Sequence, residues 1–209
     1  MHWVDRGPPP LRLAAIRAHR LASWKAYGAG LRPMPTDTDW RQFRGDLSAR
    51  FKGLCGYCER LSRGLVDHFR PKSQFPNEVY DWGNWVFACP DCNSVKWRHW
   101  PVQGFVDPCA RVWIARPEQH IEVDVATGRV VPCQGLGPIR QRRAIDTIDL
   151  LQLNAVHHLK SRLEVIEFAT STLPVVPEVA RQAFLDWVFE PGRQLSSTWE
   201  AIATVIWRG

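Results

Sequence analysis

The 209-residue chain contains no apolar run approaching the roughly 18–20 residues that a membrane-spanning helix needs. Its opening stretch, MHWVDRGPPPLR, also lacks the apolar centre of a secretion signal. Together these absences lead us to expect a cytoplasmic protein with no membrane attachment. Internal repeats and low-complexity tracts are missing as well, so neither a solenoid nor a long biased segment is expected. Positive charge is scarce toward the C-terminus. Residues 143–209 hold 6 Lys and Arg against 8 Asp and Glu, a net −2, so the total of +6 leaves +8 on residues 1–142. A basic front part suits a polyanion such as nucleic acid, although many soluble proteins of this charge bind none. The remaining composition is ordinary: with 45% hydrophobic residues, the chain can bury a core as one elaborated domain or two small ones.

The N-terminal part reads as helical. GPPPLRLAAIRAHRLASWKAYG is a helix behind a proline stop, with Leu13, Ile16, Arg17, Arg20 and Trp24 at helical spacing and Gly28 and Gly30 ending it. RPMPTDTD is a loop from which Thr38 or Asp39 can cap a second helix, WRQFRGDLSARFK, ending at Gly53. Farther on, PVQGFVDPCARV is a proline-punctuated loop, and HIEVDVATGRVVP alternates on both sides of ATGR, a hairpin signal. GPIRQRRAIDTIDL is helical, and Asn154 is placed to cap the helix AVHHLKSRLEVIEFATS. PEVARQAFLDWVFE and SSTWEAIATVIW are two more helices. We therefore expect an N-terminal helical region over 1–53, a dense core with its hairpin over 54–135, and a C-terminal helical region over 136–209, integrated into one unit. Trp187, Trp199 and Trp207 are expected to be core or interface anchors rather than a base-stacking platform.

Cysteine is sparse, and its placement is informative. Six cysteines in a cytoplasmic chain do not predict disulfides. Four fall into two C-x-x-C pairs, Cys55 with Cys58 and Cys89 with Cys92, each a tight turn that offers two thiolates to one ion. Two such turns complete a tetrahedral Cys₄ site, the closed geometry of structural zinc; an iron–sulfur cluster would use the same residue set. A closed site has no open position for chemistry, so it fastens what lies between the pairs. Cys109 and Cys133 stand apart and are expected to be small packing residues.

Between the pairs, GLVDHF reads as a strand with Val66 and His68 on one face and Asp67 on the other. NWVFAC is a second apolar run, and PDCNSVKW a helix with Pro90 at its first position. The order strand, loop, strand, helix carries three groups that phosphodiester hydrolysis needs. His68 offers an imidazole able to act as general base. Asp67 offers an anionic oxygen and Asn93 a neutral amide oxygen, suitable for Mg²⁺ or Mn²⁺ with positions left for phosphate and water. Arg70, Lys72, Lys96 and Arg98 flank the stretch as candidate phosphate contacts. Trp82, Trp85, Trp97 and Trp100 are expected to pack around a small core, with one or two free to line a nucleic-acid groove.

CGYC, VDH, NWVFAC and CPDCNSVK, in this order and spacing, resemble the HNH endonucleases of the His-Me finger, or ββα-metal, class. The resemblance covers about 45 residues and implies an α+β fold in which a ββα-metal core with a Cys₄ zinc is framed by helices at both ends. It implies His68 as general base, Asp67 and Asn93 as ligands of a catalytic Mg²⁺ or Mn²⁺, and Asn84 as the brace of the loop that holds the base. A wider stretch, including VDHFRPKS, FVDP and RAIDTIDLLQLNAVHHLKSR, looks like bacterial anti-phage defence nucleases of the Septu and retron-linked groups. That likeness implies an ABC-type ATPase partner, and the family resemblance together with the basic front part implies a DNA substrate; the likeness does not extend to the PPP start or the Trp-rich tail. The rival reading is a zinc-stabilised module that binds nucleic acid or protein without cutting, in which the DH pair is structural.

Overall fold

The computed structural model describes residues 1–188 and 194–208. Helix α1 spans Arg12–Gly28 and buries Leu13 and Trp24. Its chain exit uses Gly30 at φ +73°, a left-handed conformation that glycine adopts without a Cβ clash. The next stretch differs from the single helix read from its pattern. Residues Asp39–Phe43 form a 3-10 turn that passes into helix α2, Arg44–Arg50. A 3-10 turn brings positions three apart into line. Here those positions are Trp40 and Phe43, which both turn inward, Trp40 against the His68 ring and Phe43 against Trp85. Thr38 sits at the cap position without a capping hydrogen bond, and Asp39 pairs with Arg20 instead, at 2.5 Å.

The centre of the molecule is a two-stranded antiparallel sheet followed by a short helix. Strand β1, Leu65–His68, pairs with β2, Trp85–Ala88, in a register that sets Asp67 opposite Val86 and His68 opposite Trp85. Helix α3, Pro90–Lys96, starts directly after β2 with proline in its first turn, where no N–H is needed. The CGYC turn lies flat on the sheet. Gly56 donates its N–H to the Phe87 carbonyl, and a Cβ there would come within 2.7 Å of Phe51 and 2.8 Å of Val86, so this approach requires glycine. One apolar core runs from Met1 through Trp24, Trp40, Phe43 and Trp85 to Leu153, tying α1, α2 and the sheet together.

The hairpin pairs β3, Ile121–Asp124, with β4, Arg129–Pro132. Helices α4, Pro138–Leu150, α5, Val156–Thr172, α6, Glu178–Val188, and α7, Ser196–Arg208, make up the rest. Phe189 and Glu190, expected at the end of the sixth helix, lie outside the described residues. Trp199 is buried in a second, smaller cluster with Ala169, Leu173, Ile202 and Ala203. Trp207 packs on the same cluster and donates to the Leu173 carbonyl at 3.3 Å.

Asn154 departs from its expected role. The cap position of α5 is Ala155, and no side chain caps it. The Asn154 amide instead pairs with both backbone groups of Val130, accepting from N at 2.8 Å and donating to O at 2.9 Å. A side-chain amide has the same donor and acceptor as a peptide, so it extends the hairpin edge, a long-range use that local sequence does not signal. Its oxygen also accepts from Arg162, whose guanidinium reaches the carbonyls of Gly128 and Leu153. Asn154→Ala should therefore loosen the hairpin from α5 and cost about 1–3 kcal/mol in urea unfolding, more than loss of a surface cap. An unfolding midpoint equal to the parent's would contradict this account.

Candidate active site and zinc site

The four paired cysteines converge. Sγ of Cys55, Cys58, Cys89 and Cys92 all lie within 4.8 Å of one another, and Cys58 and Cys89 are 3.8 Å apart. Four sulfurs at about 2.3 Å from a tetrahedral Zn²⁺ are separated from one another by roughly 3.8 Å, so the cluster fits that ion. Thiols this close cannot titrate independently: hydrogen bonds from Cys55 and Cys58 pull the Cys89 thiol far down, and contact with the same sulfurs pushes Cys92 far up. Cys109 and Cys133 stay outside the cluster, Cys109 buried and Cys133 half-buried. Helix α5 reaches the cluster unexpectedly, with His158 Nε2 4.0 Å from Cys92 Sγ.

Strand alternation sends the neighbours Asp67 and His68 to different partners. The Asp67 carboxylate turns toward α3 and the CGYC turn. It accepts from the Tyr57 hydroxyl at 2.5 Å and from Lys96 Nζ at 3.1 Å, while the same ammonium donates to the His68 carbonyl at 2.7 Å. Tyr57 is held protonated, its pKa raised well above the usual value by burial and by Asp67. Lys96 is 0% exposed. This corrects its place among the candidate phosphate contacts: a fully buried ammonium locked onto a carboxylate and a carbonyl is not available to a substrate.

His68 turns the other way, edge-on to Trp40 at 4.9 Å and near Trp85 at 6.4 Å between ring centres. Its Nε2 lies 2.9 Å from the Val79 carbonyl. A carbonyl only accepts, so Nε2 carries the proton and the lone pair of the neutral ring is on Nδ1. Burial lowers the pKa to about 4, against a smaller upward pull from Asp67, so the imidazole is neutral at pH 7. Asn84 staples the loop that presents Val79. Its amide accepts from Arg70 N at 2.8 Å and donates to the carbonyls of Arg70 and Glu78 at 3.1 and 3.2 Å.

Asp67, His68 and Asn93 line one cleft of about 860 Å³. The Asn93 amide, on the second turn of α3, is left without a protein partner among the described residues. An anionic and a neutral oxygen donor lining one cleft are a donor set that suits Mg²⁺ or Mn²⁺. Among the described residues, the other charged groups lining the cleft are Arg41, Arg44, Lys72 and Arg98, all cationic. Lys72 is half-buried, its ammonium 4.4 Å from the centre of the Trp40 ring. Desolvation by burial lowers its pKa. Arg70 lies elsewhere, exposed, paired with Glu78 at 2.9 Å and set over Phe75. Arg41 and Arg44 lie in the second helix read from the sequence and are not among the candidate phosphate contacts there. Their chain distance from the DH pair concealed them, and the basic side of WRQFRGDLSAR was the available signal.

Two measurements follow from this geometry. Metal analysis should find one zinc per chain, lost in Cys92→Ser with a fall in melting temperature, because the ion joins the two ends of the ββα unit. Lys96→Met should cost roughly 3–5 kcal/mol of stability, since it strands the buried Asp67 charge. A Lys96→Met protein as stable as the parent would show that the buried pair does not hold β1 to α3.

Residues 55–98 match the sequence profile of the HNH endonuclease family. The Septu protein PtuB of Bacillus thuringiensis is 34% identical over 74 residues. That alignment covers 33% of this chain and 28% of the relative, so the chain matches well under half of that protein's length. The matched profile begins and ends with this site, from the first zinc-turn cysteine to Arg98 on the cleft. Over residues 55–98 the chain thus matches the HNH endonuclease family, in a ββα unit with four clustered cysteines, and over 74 residues it resembles a Septu protein.

Proposed function

We propose that this protein is a metal-dependent endonuclease that hydrolyses phosphodiester bonds in DNA. The observation that carries the reading is His68: a buried neutral imidazole with its proton tied to Val79, on a cleft that also holds a carboxylate and an unpartnered amide oxygen. His68 Nδ1 takes the proton of the attacking water. Asn84 keeps the 69–84 loop rigid, so Val79 fixes the ring's tautomer and angle. Lys72, Arg41, Arg44 and Arg98 hold flanking phosphates and offset their charge. A Mg²⁺ or Mn²⁺ held by Asp67 and Asn93 would supply Lewis-acid stabilisation of the charge that develops on the phosphate. The resemblance to a Septu protein supports a role in anti-phage defence, in the cytoplasm, beside an ABC-type ATPase that supplies the trigger. No described helix is long and apolar enough to cross a membrane.

One observation favours the rival, a zinc-stabilised binding module that does not cut. The Asp67 carboxylate is already engaged by Tyr57 and Lys96, as a purely structural aspartate would be. Nicking of supercoiled plasmid with Mg²⁺ or Mn²⁺, and its loss in EDTA, separates the two. Because His68 is packed between aromatic rings, His68→Ala would open a cavity, so His68→Gln is the cleaner test of the base. It should keep zinc content and lose about 10²–10⁴-fold in rate. Asp67→Asn should lose activity that is partly recovered at high Mn²⁺, and Asn93→Ala should do the same more mildly. Recovery of His68→Gln by excess metal, with none for Asp67→Asn, would reverse the two assignments. Parent-like nicking by all three would reject this site as the nuclease centre.

A further inference from the structure

We propose that Trp97 is a stacking platform for a nucleobase, and that the cleft takes DNA in which a base beside the scissile phosphate is unpaired, either single-stranded or locally opened. The inference rests on the nuclease reading and names the substrate form for the same cleft. Of the four tryptophans around the ββα unit, three pack as core residues do. Trp82 and Trp85 are buried, and Trp100 is half-buried among Phe69, Phe75 and Phe105. Trp97 is 66% exposed and lines the cleft.

Exposure of one aromatic side chain is common and by itself says little. The backbone adds a second, independent observation. Trp97 has φ +43° and ψ −116°, outside the α, β and left-handed regions open to an L-residue, and for a bulky side chain this is a true outlier. It is held by its surroundings. Trp97 N donates to the Asn93 carbonyl at 3.1 Å and His99 N to the Lys96 carbonyl at 2.8 Å. Gln74 Nε2 donates to the Arg98 carbonyl at 2.7 Å. A glycine would meet the same turn without strain, yet the chain carries an indole there. The position is one residue past Lys96, which holds Asp67, and Trp97, Asn93 and Asp67 line the same cleft, so a base on this indole would share that cleft with the phosphate at the candidate metal site.

The chemistry of the cleft selects the occupant. Its cations, Arg41, Arg44, Lys72 and Arg98, face a polyanion, and its carboxylate, Asp67, is neutralised by Lys96. Arg98 also lies over the Trp97 ring at 5.3 Å, so the indole is backed by a guanidinium while most of its surface stays open. Exposed Met34 and Leu65 extend the apolar wall. In a duplex the base faces are covered by their neighbours, and a side chain reaches only their edges. An unpaired base presents its π-face, which a flat aromatic accepts with any sequence.

The test uses full-length His68→Gln, which binds without cutting, and oligonucleotides carrying 2-aminopurine, whose fluorescence falls on stacking. Adding Trp97→Gly should weaken single-strand binding roughly 5- to 150-fold, since one base–aromatic stack contributes about 1–3 kcal/mol. It should also abolish the quenching and change duplex binding less than about twofold. Trp97→Phe should keep most of both signals. Glycine suits the strained turn, so Trp97→Gly should melt no lower than its parent. A drop in melting temperature with equal losses on single and double strands would make Trp97 a packing residue and overturn the proposal, as would unchanged single-strand binding. These readouts need no cleavage. If the parent fails to nick any DNA, the nuclease reading fails; if it nicks but Trp97→Gly stacks normally, only the present inference does.

Discussion

Everything near the cleft depends on four sulfurs held within 4.8 Å of one another. One pair lies just before β1 and the other at the joint between β2 and α3, so the cluster closes a unit too small to bury a core of its own. The two strands are four residues each and the helix seven. Elements this short have little intrinsic stability. They are held by the sulfur cluster and by the rings of Trp40, Phe43 and Phe51, in the 3-10 turn and at the end of α2, packed on His68, Trp85 and Phe87. The flanking regions add to the same task. His158 of α5 touches the cluster, and the carboxylate of Glu59, beside Cys58, accepts from Ser197 N and Oγ at the start of α7.

The same compactness sets the electrostatics of the cleft. Asp67 and His68 are adjacent on β1, both buried, and meet different surroundings. Lys96 and Tyr57 both donate to the Asp67 carboxylate. Lys96 also bonds the His68 carbonyl, so one buried ammonium sets the position of both neighbours on β1. Burial favours the uncharged ring of His68, the form that can accept a proton. Strand alternation gives these neighbours different surroundings, a polar pocket for Asp67 and an aromatic one for His68.

The cationic wall is assembled from distant parts of the chain. Arg41 and Arg44 come from the 3-10 turn and α2, Lys72 from the loop after β1, and Arg98 from the turn after α3. The 3-10 turn and α2 thereby contribute directly to the cleft, and among the described residues its lining includes none beyond Arg98. The C-terminal helices support the site from the side of the sulfur cluster and leave the cleft to the front, basic part of the chain.

The elements nearest the site were legible in the sequence because their signals are local. C-x-x-C spacing forces a turn, Pro90 after an apolar run marks a helix start, and alternation around VDH assigns the two side chains to opposite faces. The hairpin at ATGR and the helices from Pro138 onward follow from the same short-range rules. Long-range pairing decided the rest. Asn154 has the residue type of a cap and serves the hairpin instead, because Val130 offers both backbone groups at the right spacing. Lys96 reads as a surface charge in PDCNSVK; only the fold of α3 over β1 brings Asp67 within 3.1 Å and removes that lysine from solvent. Four tryptophans look alike in sequence, and tertiary packing alone buries three to varying degrees and leaves Trp97 at the cleft. Sequence by itself determined which groups are chemically able to act and the short elements that carry them. Burial and partner decided which of them face the cleft, since both are set by residues far away along the chain.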